Sequence, residues 1–310
     1  RQMNFSHIPV LLSEAIDGLA IDESGIYIDG TAGGGSHSEA ILKRLKSGKL
    51  VSIDQDPDAI EFLKKKLSPY KNSILVQDNF SNMDKIVKGL SIDAVNGILL
   101  DIGVSSHQFD TPGRGFSYRY DAPLDMRMSQ EGKSAADLVN GLSWQELAKI
   151  ISTYSEEKFA KNIALAIVKE RENSPIKTTG HLSEVIKSAI PAKFKRDGGH
   201  PARKTFQALR IAVNNELDVL TTGLDAAFSI LKPGGRLAVI TFHSLEDRLV
   251  KKKMAAWCEG CTCPPEFPIC VCHKKPQAKL INKKVIEASP REVNENPRSR
   301  SAKLRICEKL

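Results

Sequence analysis

The sequence predicts an α/β fold in which a mainly parallel sheet is interrupted by an all-helical insertion. Three observations support this prediction. A strand pattern runs into a glycine-rich loop at 26–38, strand and helix patterns alternate up to residue 108, and residues 109 to about 205 show helical periodicity without a convincing strand. A strand pattern returns at 231–243. The sheet is therefore predicted to be built from two separate parts of the chain.

The first strand and the loop after it are the most informative stretch. Ile26–Asp29 is apolar and β-branched, Gly30 and Gly33–Gly35 follow, and a helical pattern begins at Ser38. Glycine allows positive φ and close approach to a ligand, and the first turn of the next helix offers free N–H groups. The stretch predicts a cradle for a small molecule, with a purely structural glycine turn as the alternative.

The second strand, 49–54, ends in Asp54, which follows Gly35 by 19 residues. An acid at this spacing binds a ribose hydroxyl in Rossmann folds that use NAD or S-adenosylmethionine. Asp29, Asp78 and Asp101 also end predicted strands. Ligands bind at the carboxyl ends of parallel strands, so these acids mark the predicted ligand-binding edge.

The bulk composition is that of a globular protein without membrane segments. The chain has 310 residues, 41% of them hydrophobic and 26% charged, and contains no apolar run long enough to cross a bilayer and no secretory signal pattern. We therefore expect a cytoplasmic protein. The net charge is +8, and basic residues are in excess at 193–210 and 271–310. These segments predict a polyanionic partner such as nucleic acid, with a solvated surface as the alternative.

Two parts of the insertion are candidates for binding RNA. Arg114, Phe116 and Tyr118 lie in a loop rich in glycine, arginine and aromatic residues, which suits stacking on bases and contact with phosphate. The alternative is a linking loop with Phe116 buried. His200, Arg203 and Lys204 lie at a predicted helix start, where N–H groups and cations can hold phosphate. A capped helix with exposed charge is the alternative there.

Helical periodicity accounts for the rest of the insertion and for the return to the sheet. Ser143 and Glu146 form a predicted capping box. One long helix is predicted from Phe206 to Phe228, before the fifth strand. The predicted domains are the first part of the core at 1–108, a helical RNA-recognition insertion at 109–205, and the second part of the core at 206–310.

Five of the six cysteines fall between Cys258 and Cys272. Clustered thiols in a reducing compartment suggest zinc before disulfides, but the spacing is not a clean pair of C-x2-C knuckles. Structural zinc, free thiols and a labile disulfide all remain open. No residue is assigned as a metal ligand.

Several longer motifs occur together and in order along the chain. They are Asp-Gln-Asp-Pro at 54–57, Leu-Asp-Ile-Gly-Val-Ser-Ser at 100–106, Arg-Gly-Phe-Ser-Tyr at 114–118, Leu-Asp-Met-Arg-Met at 124–128, Gly-Gly-His-Pro-Ala-Arg at 198–203, the stretch 206–217, Phe-His-Ser-Leu-Glu-Asp-Arg at 242–248 and the stretch 296–305. With the glycine loop and His37, this set closely resembles the bacterial ribosomal RNA small subunit methyltransferase H family, also called MraW. The resemblance covers nearly the whole chain.

The resemblance implies an enzyme that uses S-adenosylmethionine to methylate N4 of a cytidine in the decoding region of small-subunit (16S) ribosomal RNA. The implied fold is a Rossmann-like class I methyltransferase core, with a seven-stranded sheet and helices on both faces, and an inserted helical domain. The implied partner is the ribosomal RNA, within an assembled small subunit, and a homodimer is a candidate assembly. The implied cofactor contacts are Gly35, Ser36, His37, Asp54, Phe80, Asp101 and Gln108.

Two positions depart from the patterns expected. The family commonly has Gly-Gly-His where this chain has Gly35-Ser36-His37, so a positive φ at Ser36 would be strained. Many amino-methyltransferases have Asp/Asn-Pro-Pro-aromatic where this chain has Asp101-Ile-Gly-Val. Asp101 is therefore predicted either as a catalytic group beside the target amine or as a cofactor contact alone. An NAD-dependent oxidoreductase and a non-catalytic RNA-binding assembly factor are the competing functions.

Overall fold

The computed structural model describes residues 9–192, 199–264, 266–269 and 271–310. By internal contacts these residues form two compact units. The first comprises the described residues up to Gly103 together with Asp218–Leu310, and the second comprises Val104–Leu217. Residues 193–198 of the basic segment, which include Gly198 of the predicted helix start, lie outside the described residues, as does Cys270.

The first unit alternates strands and helices. Its strands are β1 Ile26–Asp29, β2 Lys49–Asp54, β3 Ser73–Gln77, β4 Val95–Asp101, β5 Leu231–Thr241, β6 Ala278–Leu280, β7 Ile286–Glu287 and β8 Lys303–Lys309. Its helices are α1 Leu12–Gly18, α2 Ser36–Arg44, α3 Pro57–Lys66, α4 Met83–Gly89, α12 Ser244–Cys258 and α13 Pro290–Glu295. It also contains α11 Glu216–Ile230 from Asp218 onward. The predicted α/β fold class is confirmed.

The strands form one sheet in the order β3-β2-β1-β4-β5-β8-β6, with β7 also paired to β8. The first five strands are parallel neighbours, and β8 runs antiparallel to β5, β6 and β7. The described residues form eight strands, not the seven that the resemblance implied, because the short β6 and β7 pair with different ends of β8. The carboxyl ends of β1, β2 and β4 lie side by side and carry Asp29, Asp54 and Asp101.

The pairing of β5 is irregular where the strand contains Pro233-Gly234. Val95 pairs with Leu231, but Gly97 pairs with Arg236, so the pairing register shifts between these two positions. Gly234 has φ +79 within the shifted segment, a conformation that a glycine adopts without strain. From Arg236 onward the register is regular and brings Asp101 opposite Ile240.

The second unit is built from helices. They are α5 Ser106–Asp110, α6 Ala135–Gly141, α7 Trp144–Ser155, α8 Ala160–Asn173, α9 Thr179–Ala189 and α10 Arg203–Asn214, and an isolated bridge joins Pro123 to Thr178. The predicted capping box is present at α7, where Ser143 Oγ accepts from the Glu146 N–H at 3.3 Å and Glu146 Oε2 accepts from the Ser143 N–H at 2.8 Å. The helices enclose a core of their own around Leu147, Ile151 and Ile163.

The prediction of a single helix from Phe206 to Phe228 was wrong. The chain forms α10 and α11, separated by Asn215 in a left-handed conformation with φ 49. Asparagine tolerates this conformation better than most residues, and it is a common way to end a helix. The apolar period continues across the break, which is why periodicity alone suggested one helix.

Buried apolar side chains line the sheet of the first unit. Ile28, Ile98, Leu100 and Val239 are fully buried among residues from α4, α11 and α12. Leu99 and Ile240 belong to a separate cluster that includes residues of α1 and α2. Side chains alternate across a strand, so the two clusters occupy opposite faces of the sheet. Within the described residues, every helix is too short or too polar to cross a membrane.

Candidate functional site

The glycine loop joins β1 to α2 through two residues with positive φ. Gly33 has φ 48 and Gly35 has φ 74, and Gly35 caps the start of α2. Ser36 is the first residue of the helix and is not among the residues with positive φ. The strain considered for Ser36 is therefore absent, because the glycines adopt the left-handed conformations.

Close packing gives Gly35 a second reason to be glycine. A Cβ at this position would lie 2.6 Å from Leu63 Cδ2 on α3. Lys66, also on α3, donates from Nζ to the Gly34 carbonyl at 2.7 Å. Burial lowers the pKa of Lys66, while the neighbouring carboxylate of Glu39 opposes that shift. Helix α3 therefore fixes the loop from outside, a role for Lys66 that its sequence context did not indicate.

Asp54 ties the second strand to the glycine loop. Its Oδ2 accepts from the Gly33 N–H at 2.7 Å, and its Oδ1 accepts from the Asp56 N–H at 2.9 Å. Burial raises the pKa of Asp54 to about 6. Each carboxylate oxygen has two lone pairs, so both oxygens retain capacity for a further donor such as a ribose hydroxyl.

Asp29 is a buried acid that the sequence marked only as a strand end. Its Oδ1 accepts from the Thr31 N–H at 3.2 Å and its Oδ2 accepts from Ser38 Oγ at 2.6 Å. Burial raises its pKa to about 6, although these hydrogen bonds favour the charged form. The Asp29 side chain therefore stabilises the loop by hydrogen bonds. It also places a second acid near Asp101.

Asp101 ends β4 beside Thr31 and His37. Its N–H donates to Thr31 Oγ1 at 2.6 Å, and its Oδ2 lies 3.8 Å from His37 Nδ1. His37 Nε2 lies 3.1 Å from the Val10 carbonyl oxygen, which can only accept, so Nε2 carries a proton. In the neutral imidazole, Nδ1 is then the acceptor that faces the Asp101 carboxyl group.

The electrostatic environment favours the neutral form of Asp101. Burial, followed by the charges of Asp29 and Glu246, raises its pKa to about 8. Its Oδ1 is buried and has no hydrogen-bond partner among the described residues. Most buried polar atoms are paired, so an unpaired one at the end of a strand indicates a place where a polar ligand group binds.

Three more buried polar atoms form no hydrogen bond within the described residues, and they lie at the end of the neighbouring strand β5 or just after it. They are Thr241 Oγ1, His243 Nε2 and Glu246 Oε1. Glu246 Oε2 accepts from the Phe242 N–H at 2.9 Å and caps α12. Its Oε1 lies 2.8 Å from His243 Nε2, but the two atoms do not meet hydrogen-bond geometry. In the described residues, the ends of the neighbouring strands β4 and β5 thus carry buried polar atoms that form no hydrogen bond.

Phe80 lies against both the glycine loop and α11. A Cβ at Gly223 would lie 2.3 Å from its ring, and a Cβ at Gly30 would lie 3.2 Å from its Cβ. The side chain is half-buried against the core of the first unit. Glycines at both contacts leave the space that the Phe80 side chain occupies.

Gln108, the remaining predicted cofactor contact, belongs to the second unit. It forms a capping box with Ser105, in which its Oε1 accepts from the Ser105 N–H at 3.1 Å. The side chain is 5% exposed. Its observed role is to begin α5, and its contact with a cofactor remains a prediction.

The structure assigns Arg114 and Phe116 to packing within the second unit. Arg114 is 8% exposed, and its Nη2 donates to the carbonyl oxygens of Arg127 and Met128, each at 3.0 Å. Phe116 is 5% exposed and lies in the helical core. The alternative interpretation, a linking loop with Phe116 buried, agrees with this packing, and contact of the two residues with RNA remains a prediction.

Tyr118 and His200, which were predicted separately, contact each other. Their rings stack with centroids 4.3 Å apart and an interplanar angle of 15°. Arg203 and Lys204 are exposed on the first turn of α10, directly after His200. Lys204 Nζ donates to the Glu156 carbonyl at 3.4 Å. Within the second unit, the structure therefore brings Tyr118 and His200 together, and Arg203 and Lys204 follow His200 closely in the sequence.

Sequence reasoning missed Thr31, Lys66, Thr241 and Glu246. The side chains of Thr31 and Lys66 bind backbone groups of other residues, and such contacts leave no pattern in the sequence. Thr241 ends β5 and Glu246 lies in the Phe-His-Ser-Leu-Glu-Asp-Arg stretch at 242–248, whose position directly after β5 was the available signal.

Comparison with known proteins gives a consistent result. Residues 4–310 match the MraW methylase family. A protein named ribosomal RNA small subunit methyltransferase H from Clostridium botulinum (strain Kyoto / Type A2) is 55% identical over 310 residues, covering 99% of this chain and 100% of its own. A protein of the same name from Symbiobacterium thermophilum is 52% identical over 311 residues, covering 99% of this chain and 98% of its own.

Proposed function

The chain belongs to the MraW methylase family, and on this premise we propose that it methylates the exocyclic N4 of a cytidine in the decoding region of small-subunit ribosomal RNA. At the coarser level it is an S-adenosylmethionine-dependent ribosomal RNA methyltransferase. The choice of cytidine N4 is supported by the motifs that resemble the family and by the polar strand ends. The NAD-dependent alternative is not retained, because the family is one of methyltransferases.

The residues at the glycine loop fit S-adenosylmethionine. Gly35, Ser36 and His37 would hold it at the start of α2, Asp54 at the ribose, Phe80 beside the adenine, and Asp101 with Gln108 at the methionine end. The unpaired Asp101 Oδ1 and the absence of side chains at Gly33 and Gly35 are the observations that support this fit. When bound, the cofactor supplies an electrophilic methyl group on a positively charged sulfur.

The unpaired carboxyl oxygen of Asp101 is the observation that carries the catalytic proposal. A cytosine amine is a weak nucleophile because its lone pair is delocalised, and it must lose a proton once it is methylated. Asp101 would orient the amine by accepting a hydrogen bond from it. After methyl transfer, the Asp101 carboxylate would accept the proton that the amine loses. A raised pKa makes its carboxylate a stronger base, and a cation beside it would shift the group toward the ionised form needed for this role.

The RNA would be held through the second unit. Tyr118 and His200 offer an aromatic pair, and Arg203 with Lys204 offers exposed positive charge next to it. The target base must leave its stack to reach a methyl donor, so binding of the flanking backbone has to offset the cost of unstacking. Basic residues near an aromatic pair suit that task.

The proposal extends to an assembled small subunit as substrate and to a homodimer as the enzyme form. We would incubate small subunits from a strain deleted for this gene with the protein and labelled cofactor, and identify the modified nucleoside by mass spectrometry. N4-methylcytidine is expected. A parallel reaction on deproteinised rRNA tests the need for assembly, and light scattering gives the oligomeric state.

Label in another nucleoside would contradict the cytidine N4 proposal. Binding of subunits without any methyl transfer would favour the non-catalytic assembly factor instead.

A further inference from the structure

We propose that Cys261, Cys263 and Cys272 form a structural zinc site that is separate from the methyltransferase site. Their three sulfur atoms all lie within 4.8 Å of one another, and the Sγ atoms of Cys261 and Cys272 are 3.7 Å apart. Zinc binds thiolates at about 2.3 Å in a tetrahedron, which requires sulfur atoms roughly 3.8 Å from each other. The observed spacing therefore matches a shared metal ion.

The same distances argue against a disulfide. A disulfide brings two sulfur atoms to about 2.05 Å. Within the described residues, these three cysteines are not joined in disulfides. Contact between reduced thiols contributes little stabilisation, because the S–H group is a weak donor and sulfur is a weak acceptor. Convergence of three of them is accounted for by a ligand that binds all three.

Backbone N–H groups point at the sulfur atoms. Cys263 Sγ accepts from the N–H groups of Val271 and Cys272, each at 3.3 Å, and Cys261 Sγ accepts from the Cys263 N–H at 3.4 Å. Hydrogen bonds to sulfur stabilise the charged thiolate, which is the form that binds metal. Such bonds also fix the orientation of metal ligands, so the backbone is arranged to support a thiolate site.

Among its described residues, the surrounding segment is held mainly at its base. It runs from the end of α12 at Cys258 to the start of β6 at Ala278, and its base is closed by a hydrogen bond from the Gln277 N–H to the Trp257 carbonyl at 2.8 Å. Phe267, Ile269 and Val271 are 51%, 74% and 62% exposed, so they form no core. A long loop without a core is ordered when a metal supplies the folding free energy.

Cys258 provides a matched control in the same segment. Its sulfur is not part of the three-thiol cluster. Burial raises its pKa, and a backbone hydrogen bond with Leu280 opposes that shift. The cluster also shares no residue with the glycine loop, so zinc binding and methyl transfer can succeed or fail independently.

The test begins with full-length protein purified without a histidine tag under reducing conditions. Elemental analysis should find about one zinc per chain in the wild type and in Cys258→Ser, and well under half of that in Cys261→Ser and Cys272→Ser. X-ray absorption at the zinc edge should find three or four sulfur neighbours. Affinity for S-adenosylhomocysteine should stay within about twofold of wild type in every variant that retains its circular dichroism.

Cobalt reconstitution tests the site without any substitution. Wild-type protein stripped of metal and supplied with Co²⁺ should show sulfur-to-cobalt charge-transfer and tetrahedral absorption bands, and hydrogen exchange in 259–277 should slow when metal is added. Wild-type protein with well under one zinc per chain and no thiolate bands with Co²⁺ would overturn the proposal. Loss of zinc from Cys258→Ser but not from Cys272→Ser would overturn the assigned ligands.

Discussion

The Nδ1 atom of His37 lies 3.8 Å from Oδ2 of Asp101, and the proton on the opposite nitrogen of His37 is fixed by the Val10 carbonyl. The histidine therefore presents an unprotonated nitrogen to a carboxyl group whose pKa is raised to about 8. The distance is too long for a hydrogen bond, and burial with the nearby charges of Asp29 and Glu246 favours the neutral acid in the free protein. Asp101 must lose that proton before it can accept one from a substrate.

We expect methyl transfer to increase with pH. Below the pKa of Asp101 the ionised fraction, and with it kcat/KM for the cofactor, should rise about tenfold per pH unit and level off near pH 8. Asp101→Asn should lower kcat about 10²- to 10⁴-fold and abolish this dependence, while S-adenosylhomocysteine still binds. Full turnover in Asp101→Asn would leave Asp101 with a cofactor contact alone.

The same substitution should stabilise the protein, most of all at high pH. The pKa of Asp101 is raised from 3.8 to about 8, so between these values the folded state binds more protons than the unfolded state. Stability contributed by this group is therefore present below pH 4 and is lost as pH rises toward 8. Differential scanning fluorimetry should show a Tm gain for Asp101→Asn that is larger at pH 8 than at pH 5. An equal gain at both values would contradict the raised pKa.

Gly35→Ala should weaken both the fold and cofactor binding. The new Cβ would meet Leu63 at 2.6 Å, at a residue with φ 74, and the left-handed conformation alone costs a non-glycine residue roughly 1–3 kcal/mol. Gly89→Ala is the control, since a Cβ there meets nothing within 4 Å. Calorimetry should show weaker binding of S-adenosylhomocysteine for Gly35→Ala alone. Unchanged binding would mean that the loop is a structural turn.

Arg114→Ala should destabilise the second unit rather than remove a contact with RNA. Its loss leaves the buried carbonyls of Arg127 and Met128 without their donor, which costs about 1–3 kcal/mol for each unsatisfied group. Arg119→Ala, at an exposed position of the same loop, should leave the free energy of unfolding nearly unchanged. Denaturant titration separates the two. Normal stability with weak RNA binding in Arg114→Ala would restore the original interpretation.

Arg203→Ala and Lys204→Ala should each weaken binding to rRNA and reduce its salt dependence. Each lost phosphate contact lowers the slope of log K against log salt by about 0.7–0.9. Lys149→Ala, an exposed lysine on α7 of the same unit, serves as the charge-matched control. Filter binding at several salt concentrations measures the slope. Equal slopes in all three variants would place the RNA elsewhere.

Local patterns were sufficient to predict the glycine loop and the acids at the strand ends. A strand, glycines and a helix follow one another directly, and strand-end acids are placed by the parallel sheet itself, so Asp54 and Asp101 were found from sequence. The sequence did not show whether Gly35 or Ser36 adopts positive φ. Gly35 takes it because α2 begins one residue later, at Ser36.

Features that depend on distant contacts were not accessible in this way. Arg114 looks the same in sequence whether it faces RNA or the carbonyls of Arg127 and Met128. The break at Asn215 lies within an uninterrupted apolar period. The stacking of Tyr118 on His200 joins residues from two separate motifs, each of which suggested RNA binding for a different reason.

The C-terminal strand β8 has a protective role that follows from the pairing order. β5 pairs with β8 along Arg236–Thr241, and β6 and β7 pair with β8 as well. Without Lys303–Lys309, β5 would expose a row of unpaired N–H and C=O groups beside the apolar core, and such an open edge can pair with another chain. Pairing with these seven residues therefore prevents edge-to-edge aggregation through β5.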